Sequence, residues 1–181
     1  MTLSIAKDPL LTAARIVIGF FIVVLGIGIA ALAVGLPAML LNRSRILAEL
    51  TRDGTVVEPQ FFLAASVAMV IVAGLLALGI WFLLELRRIV NTVSEGDPFI
   101  PDNADRLRRM GWIALAAQAV AVPLSAVIIW LAGLVEDNDG VRLDDDMGFS
   151  GGGVILVLVL FILARVFKRG AEMREELEGT V

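Results

Sequence analysis

Four long apolar runs without a charged residue constrain this chain more than any other feature of its 181 residues. They cover residues 16–41, 61–84, 112–135 and 147–164. About 20 apolar residues in a helix cross a bilayer core of about 30 Å, whereas a membrane β-barrel shows alternating segments of about ten residues. We therefore predict an all-α fold, an integral membrane four-helix bundle.

The runs organise the whole chain into one predicted four-span membrane domain, residues 1–181. The first run is about twice as long as an ordinary signal-peptide core, so we interpret it as a retained helix. The predicted parts are spans at about 16–41, 61–84, 112–135 and 147–167, a hairpin at 85–111, an acidic outer loop at 136–146 and a tail at 168–181.

Lys and Arg are divided unequally between the two sides of this arrangement. The two terminal segments and the hairpin together hold 11 of them, and the other two loops hold four. Cytoplasmic loops are enriched in Lys and Arg, which predicts that both termini and the hairpin are cytoplasmic.

The composition limits the chemistry that the chain performs. It contains no Cys, His or Tyr, which removes thiol nucleophiles, disulfides, imidazole bases and nearly all transition-metal sites. Only carboxylates and hydroxyls remain, so we expect no catalytic residues, no metal site and no cofactor, and the protein is not expected to be an enzyme. Asp137, Asp139 and Gly140 form a fragment of a calcium-loop pattern, but its full spacing and closing Glu are missing, so a solvated acidic loop is expected.

Polar groups inside the predicted spans are few. Gln118 lies about two turns into the third run, and we expect it to form an interhelical hydrogen bond rather than to bind a substrate. A transporter or proton relay normally needs ionisable groups near the middle of the membrane, and the spans have none.

The segment between the second and third runs has the pattern of a capped helical hairpin. Residues 93–112 read VSEGDPFIPDNADRLRRMGW. Gly96 is placed to end the incoming helix, two prolines make the turn, and Asp102 is the expected N-cap of the outgoing helix. Phe99 and Ile100 are expected to pack the hairpin tip against the apolar faces of its own two helices. The incoming helix carries one apolar stripe, at Leu86, Ile89, Val90 and Val93.

Charges cluster where the second and fourth spans are predicted to end. Glu85 and Arg88 are three residues apart on one helix and are expected to pair. Arg165, Lys168 and Arg169 share a helical face at the headgroup level, where snorkelling to lipid phosphates is one interpretation. Glu85 and Arg165 have matching predicted depths, so the other interpretation is a structural ion pair that pins the fourth span to the second.

The hairpin string GDPFIPDNADRLRRMGW and the tail string ARVFKRGAEMREEL resemble a bacterial membrane family, domain of unknown function 2975. The matching positions are Gly96, Asp97, Pro98, Phe99, Arg106, Leu107, Gly111, Phe167, Arg169, Gly170, Ala171, Glu172 and Thr180. The resemblance implies a multi-pass protein of the bacterial cytoplasmic (inner) membrane. It carries no established activity, but members are often encoded beside a small helix-turn-helix regulator, which implies a cytoplasmic partner.

Our leading hypothesis is a membrane-embedded regulatory protein that binds a cytoplasmic partner, such as a helix-turn-helix transcription factor, through its hairpin and tail. No direct contact with nucleic acid is expected. The alternatives are a transporter or channel-like subunit and a structural membrane assembly protein. Arg106 and Arg109 are three residues apart and share a face near the hairpin tip, so they are the first candidates for partner contacts. The alternative for these two arginines is contact with lipid headgroups or with the protein's own acidic tail. The full candidate set is Asp97, Phe99, Arg106, Arg109, Arg169 and Glu172.

The unequal distribution of Lys and Arg leads to a testable topology. Reporters fused after Val181 or inserted at Pro101 are expected to report the cytoplasm, and one inserted at Asp139 is expected to report the other side. Paired alkaline phosphatase and fluorescent protein fusions measure this directly. A reporter found on the opposite side at any of the three positions contradicts the predicted orientation.

Overall fold

The structure is a computed structural model that describes residues 9–52, 58, 60–94, 96, 98–134 and 150–178. Its helices are α1 (Pro9–Leu41), α2 (Arg43–Arg52), α3 (Phe61–Ser94), α4 (Pro101–Gly133) and α5 (Gly151–Glu178). These described ranges contain no β-strand, which confirms the all-α prediction. Four of the helices, α1, α3, α4 and α5, are long and apolar enough to cross a membrane. The acidic loop at 136–146, Asp97 and Thr180 lie outside the described residues.

The helices that form the predicted hairpin are longer than a bilayer requires. α3 has 34 residues and α4 has 33. At about 1.5 Å per residue each measures roughly 50 Å, against about 30 Å for the hydrocarbon core. Both helices run through the polar segment on either side of its turn, so the predicted helical hairpin is confirmed. We call the part formed by residues 85–111 and 164–178 the hairpin end.

The turn of the hairpin follows the predicted chemistry at one side and departs from it at the other. α3 ends at Ser94, and Gly96 has a φ of 95°, a conformation that glycine adopts without a steric penalty. The expectation that Asp102 is the N-cap of α4 was wrong. The N-cap is Ile100, without a side-chain cap, and Pro101 occupies the first turn because its fixed φ suits that position.

A short helix occupies part of the predicted outer loop. α2 spans Arg43–Arg52, and its Ile46, Leu47 and Leu50 are partly buried. The guanidinium of Arg43 lies 5.0 Å from the centroid of the Phe62 ring, which attaches the start of α2 to the start of α3. The spacing of the three aliphatic residues is helical, so this element was detectable in the sequence.

The four long helices pack in chain order, with α1 on α3, α3 on α4 and α4 on α5. The buried apolar core lies at the hairpin end, where side chains of three helices meet. Its members are Ile89, Leu107, Met110, Leu160 and Ala164, and the partly buried Phe82, Leu86, Val93, Ala114 and Phe167 pack against them. α1 is peripheral, with Ile18 as the buried residue of that helix. One side of α1 packs on α3, where Leu25 lies against Gly79, and its exposed side carries large apolar residues such as Phe20 and Ile27.

Aromatic rings lie directly on glycines where α5 crosses its neighbours. A Cβ atom added at Gly111 of α4 would lie 3.1 Å from the ring of Phe161. A Cβ atom added at Gly170 of α5 would lie 2.8 Å from Cδ1 of Phe99. These glycines therefore provide the space for close helix contact at the hairpin end.

Phe99 packs differently from our expectation. Its ring was expected on its own hairpin, but it lies on α5, with its centroid 5.3 Å from that of Phe167. The bare backbone of Gly170 leaves the room for this ring. Phe99 therefore joins the hairpin tip to the C-terminal part of α5.

The contact between Phe99 and Gly170 generates a prediction. Gly170→Ala introduces a steric conflict with Phe99, and such overpacking costs typically about 1–3 kcal/mol. We expect a net loss of stability, because an alanine gains only about 0.5–1 kcal/mol of helix propensity. Thermal unfolding in detergent measures the effect.

Gly74→Ala is the matched control, because Gly74 is also helical and has no atom within 4 Å of an added Cβ. In a Phe99→Ala background, Gly170→Ala is expected to become neutral or stabilising. If Gly170→Ala destabilises the protein equally with and without the Phe99 ring, the proposed steric cause is wrong.

Candidate functional site

Glu85 is the most deeply buried charged residue at the hairpin end, with its side chain only 1% exposed. Its Oε1 accepts hydrogen bonds from Nη1 of Arg88 at 3.1 Å and from Nη1 of Arg109 at 3.2 Å. Arg88 is three residues along the same helix, as predicted, whereas Arg109 reaches across from α4. A buried carboxylate requires such partners because low-dielectric surroundings penalise an unpaired charge.

The predicted ion pair between Glu85 and Arg165 was wrong. Arg165 is exposed on α5 and borders Asp105 and Lys168, whereas the carboxylate of Glu85 faces Arg109. Matching depth in the membrane does not determine which face of a helix a side chain occupies. The hairpin connection places α4 beside α3, and Arg109 of α4 therefore contacts Glu85.

A second polar network surrounds Asn103, which is completely buried. Its Nδ2 donates to the hydroxyl of Thr92 at 2.8 Å and to the carbonyl of Pro98 at 3.0 Å, and its Oδ1 accepts from Nη1 of Arg106 at 2.9 Å. The network connects α3, the turn and α4. Sequence reasoning missed Asn103, although an amide just after a proline turn is a signal for this kind of bracing.

Arg106 and Arg109 share a face, as predicted, but that face is turned towards α3. The side chain of Arg106 is only 17% exposed and also donates to the carbonyl of Arg88 at 3.5 Å. Arg109 is half exposed and is paired with Glu85. Both arginines therefore brace the hairpin, and Arg106 has little surface left for a partner.

The other candidate residues lie on different surfaces. Arg169 lines a shallow groove formed by α5 alone, together with Arg165, Val166 and Met173. Phe99 is 43% exposed at the tip. Glu172 lines a different pocket, beside Pro101 and Ala104 at the start of α4, and Asp97 is outside the described residues. The structure therefore does not bring the predicted set together on one surface.

A cleft of about 330 Å³ lies between the start of α4 and the C-terminal part of α5, and we call it the hairpin–tail cleft. Small residues, Ala104 and Ala171, are buried within it. The charged residues around it are Asp105, Arg108, Lys168, Glu172 and Glu175. Glu172 is the one charged residue of this cleft that was predicted from the sequence to contact a partner, because the proximity of the others to it depends on how α5 packs against α4.

The charged pairs in the hairpin–tail cleft are exposed. Arg108 and Asp105 are 3.1 Å apart, and their side chains are 64% and 60% exposed. Lys168 and Glu172 are 4.0 Å apart, and the side chain of Lys168 is more exposed than either member of the first pair. Exposed pairs of this kind contribute little to stability, with a median of about 0–1 kcal/mol. Each pair also lies within a single helix, so neither of them holds α4 and α5 together.

The spans themselves offer little for chemistry. A cavity of about 440 Å³ between α1, α3, α4 and α5 is lined by apolar residues, glycine and Gln118. The amide of Gln118 donates to the carbonyl of Ser150 at 3.2 Å, which confirms the predicted interhelical hydrogen bond. Among the described residues there is no group of three or more His, Cys, Asp or Glu placed to hold a metal ion.

Comparison with known proteins identifies the family of the chain. A family model described as a protein of unknown function, DUF2975, matches residues 46–181, which is more than half of the sequence. No curated protein and no solved structure matches the chain.

The pairing of Glu85 with Arg109 predicts energetic coupling between them. Glu85→Gln and Arg109→Gln are each expected to destabilise the protein, and the double variant is expected to lose less than the sum. We expect a coupling energy on the order of 1–2 kcal/mol, below that of a fully buried pair because Arg109 is half exposed. Thermal or denaturant unfolding in detergent supplies the four stabilities.

The control cycle combines Glu85→Gln with Arg165→Gln, which removes the same charge at a similar depth on α5. Its effects are expected to be additive. Coupling to Arg165 equal to or larger than coupling to Arg109 would contradict the observed pairing.

Proposed function

Since the chain belongs to the DUF2975 family, whose description assigns no activity, we propose its role from the geometry of its hairpin end. It is a membrane-embedded regulatory protein that binds a cytoplasmic partner through the hairpin–tail cleft. The distribution of Lys and Arg supports an orientation with the hairpin end in the cytoplasm.

The observation that carries this proposal is the construction of the hairpin–tail cleft. Its walls are held in place from behind, by the Asn103 network in α4 and by the contact of Phe99 with Phe167 on α5. Its rim carries two basic and three acidic side chains within a small area. A rigid wall with exposed surface charges is suited to specific recognition of a charged protein surface.

A helical partner fits the shape of the cleft, because the cleft lies between two helices with small residues at its base. Among helical partners we propose a small helix-turn-helix transcription regulator, which is the class that the family resemblance implies. Holding such a regulator at the membrane would keep it from its operator. Enzymatic activity is not part of the proposal.

Transport is a weaker proposal on the present geometry. Among the described residues, Gln118 is the only polar side chain that lines the cavity between the spans, and its amide donates to the carbonyl of Ser150. Ion and proton pathways normally place ionisable groups at such positions.

Charge reversal in the hairpin–tail cleft tests the proposal. Detergent-solubilised protein is used to capture soluble partners from the native host, with identification by mass spectrometry. The double variant Arg108→Glu, Lys168→Glu is expected to lose the captured partner, because both basic residues of the rim become acidic. With the purified partner, we expect the affinity of this variant to fall at least about tenfold, which corresponds to roughly 1.4 kcal/mol.

The matched control is Arg87→Glu, Arg169→Glu, which makes the same change of charge at exposed positions of the hairpin end that do not line the cleft. Both double variants must first show normal membrane insertion and thermal unfolding. Recovery of no soluble partner with the parent protein would contradict the proposal. Equal capture by the two double variants would show that the hairpin–tail cleft is not the binding surface.

A further inference from the structure

A second surface lies on the lateral side of the bundle, between α3 and α4, and we call it the α3–α4 groove. It has a volume of about 240 Å³ and is lined by Leu78, Trp81, Arg109, Trp112, Ile113 and Ala116. Both tryptophans are largely exposed, Trp81 at 51% and Trp112 at 60%. The groove lies away from the hairpin–tail cleft, so it is independent of the proposed partner site.

The lining residues are ordered by polarity along the helix axes. Arg109 stands at the hairpin end of the groove, Trp81 and Trp112 come next, and Leu78 and Ala116 lie deepest in the apolar runs. Seven residues separate Arg109 from Ala116, which is roughly 10 Å along a helix. The groove thus presents a charged group, then amphipathic aromatic rings, and then aliphatic side chains. This order matches the order of headgroup, interface and acyl chain in a bilayer.

The charged end of the groove has an excess of positive charge. Two guanidinium groups, of Arg88 and Arg109, share the single carboxylate of Glu85, which leaves a net charge of one positive unit. Their side chains are 57% and 50% exposed. Arg109 uses Nη1 for Glu85 and Nε for the carbonyl of Asp105 at 3.4 Å, so Nη2 makes no hydrogen bond within the described part of the chain.

We propose that the α3–α4 groove binds one anionic phospholipid. The phosphate accepts hydrogen bonds from Arg109, and one acyl chain lies between the two tryptophans against Leu78 and Ala116. The site opens sideways onto the membrane, where a soluble anion has no access to the apolar part. The net positive charge favours an anionic headgroup over a zwitterionic one. Glu85 acts as a positioning residue, because it holds the guanidinium of Arg109 at the mouth of the groove.

The two groove tryptophans provide the measurement. Trp130 is the third and last tryptophan of the chain, so a Trp130→Phe background leaves only Trp81 and Trp112. The protein is reconstituted into phosphatidylcholine vesicles with a minor fraction of phosphatidylglycerol. Two samples of the same lipid composition are compared. Bromine is placed on the acyl chains of phosphatidylcholine in one sample and on those of phosphatidylglycerol in the other. Quenching of tryptophan fluorescence, corrected for lipid abundance, gives the enrichment of each lipid at the groove.

We expect phosphatidylglycerol to be enriched about fivefold, the factor that corresponds to roughly 1 kcal/mol for one basic residue near an anionic surface. Arg109→Gln is expected to reduce the enrichment to near one. If that variant unfolds, Glu85→Gln, Arg109→Gln removes both charges of the pair, leaves Arg88 and thus keeps the same net charge. The double variant is expected to lose the enrichment as well.

Arg165→Gln is the matched control, since it removes an exposed arginine at a similar depth on α5. It is expected to leave the enrichment unchanged. No enrichment in the parent protein, retained enrichment in the folded Arg109 variants, or an equal loss with Arg165→Gln would each overturn the proposal. The last result would assign the effect to general surface charge rather than to the groove.

Discussion

The carboxylate of Glu85 comes directly after an uncharged run of 24 residues and is shielded from water, and the hairpin end is organised around it. Arg88 on the same helix pairs with this buried carboxylate, and the register in which α4 packs on α3 supplies Arg109 as a second partner. The same register brings Asn103 to Thr92 and Arg106 to the carbonyl of Arg88. The ion pair and the amide network therefore support one another, and together they make the polar segment a rigid extension of two spans.

This rigid hairpin is the surface on which α5 is positioned. The rings of Phe161 and Phe99 occupy the space left by Gly111 and Gly170, so α5 approaches α4 closely over its C-terminal part. Close approach creates the hairpin–tail cleft on one side, and it leaves the α3–α4 groove open on the other. The proposed protein partner and the proposed lipid thus use different faces of the same braced hairpin.

Several local features of the fold were predicted correctly from short patterns in the sequence. Gly96 ends α3 with a positive φ, Glu85 pairs with Arg88, and Gln118 forms an interhelical hydrogen bond. Each prediction depends on neighbours in the chain or on the scarcity of polar groups in a span. The prediction for Asp102 failed because Pro101 takes the first position of α4, and this moves the N-cap to Ile100. The sequence indicated the candidate partner residues but not their positions relative to one another. The structure places the described candidates on different faces.

The amino-acid pattern alone predicted the helical class, the four helices of the described chain that are long and apolar enough to cross a membrane, and the existence of the hairpin. Uncharged runs of this length form helices in a bilayer, because a helix satisfies each backbone polar group by hydrogen bonds within its own segment. The pairing of Glu85 with Arg109 rather than Arg165, the burial of Asn103 and the contact of Phe99 with Gly170 became evident from the packing of the helices. These outcomes depend on the rotation of each helix about its axis, which is set by side-chain packing between helices. Hydropathy reports the depth of a residue along a span, and it carries no information about which neighbour that residue faces.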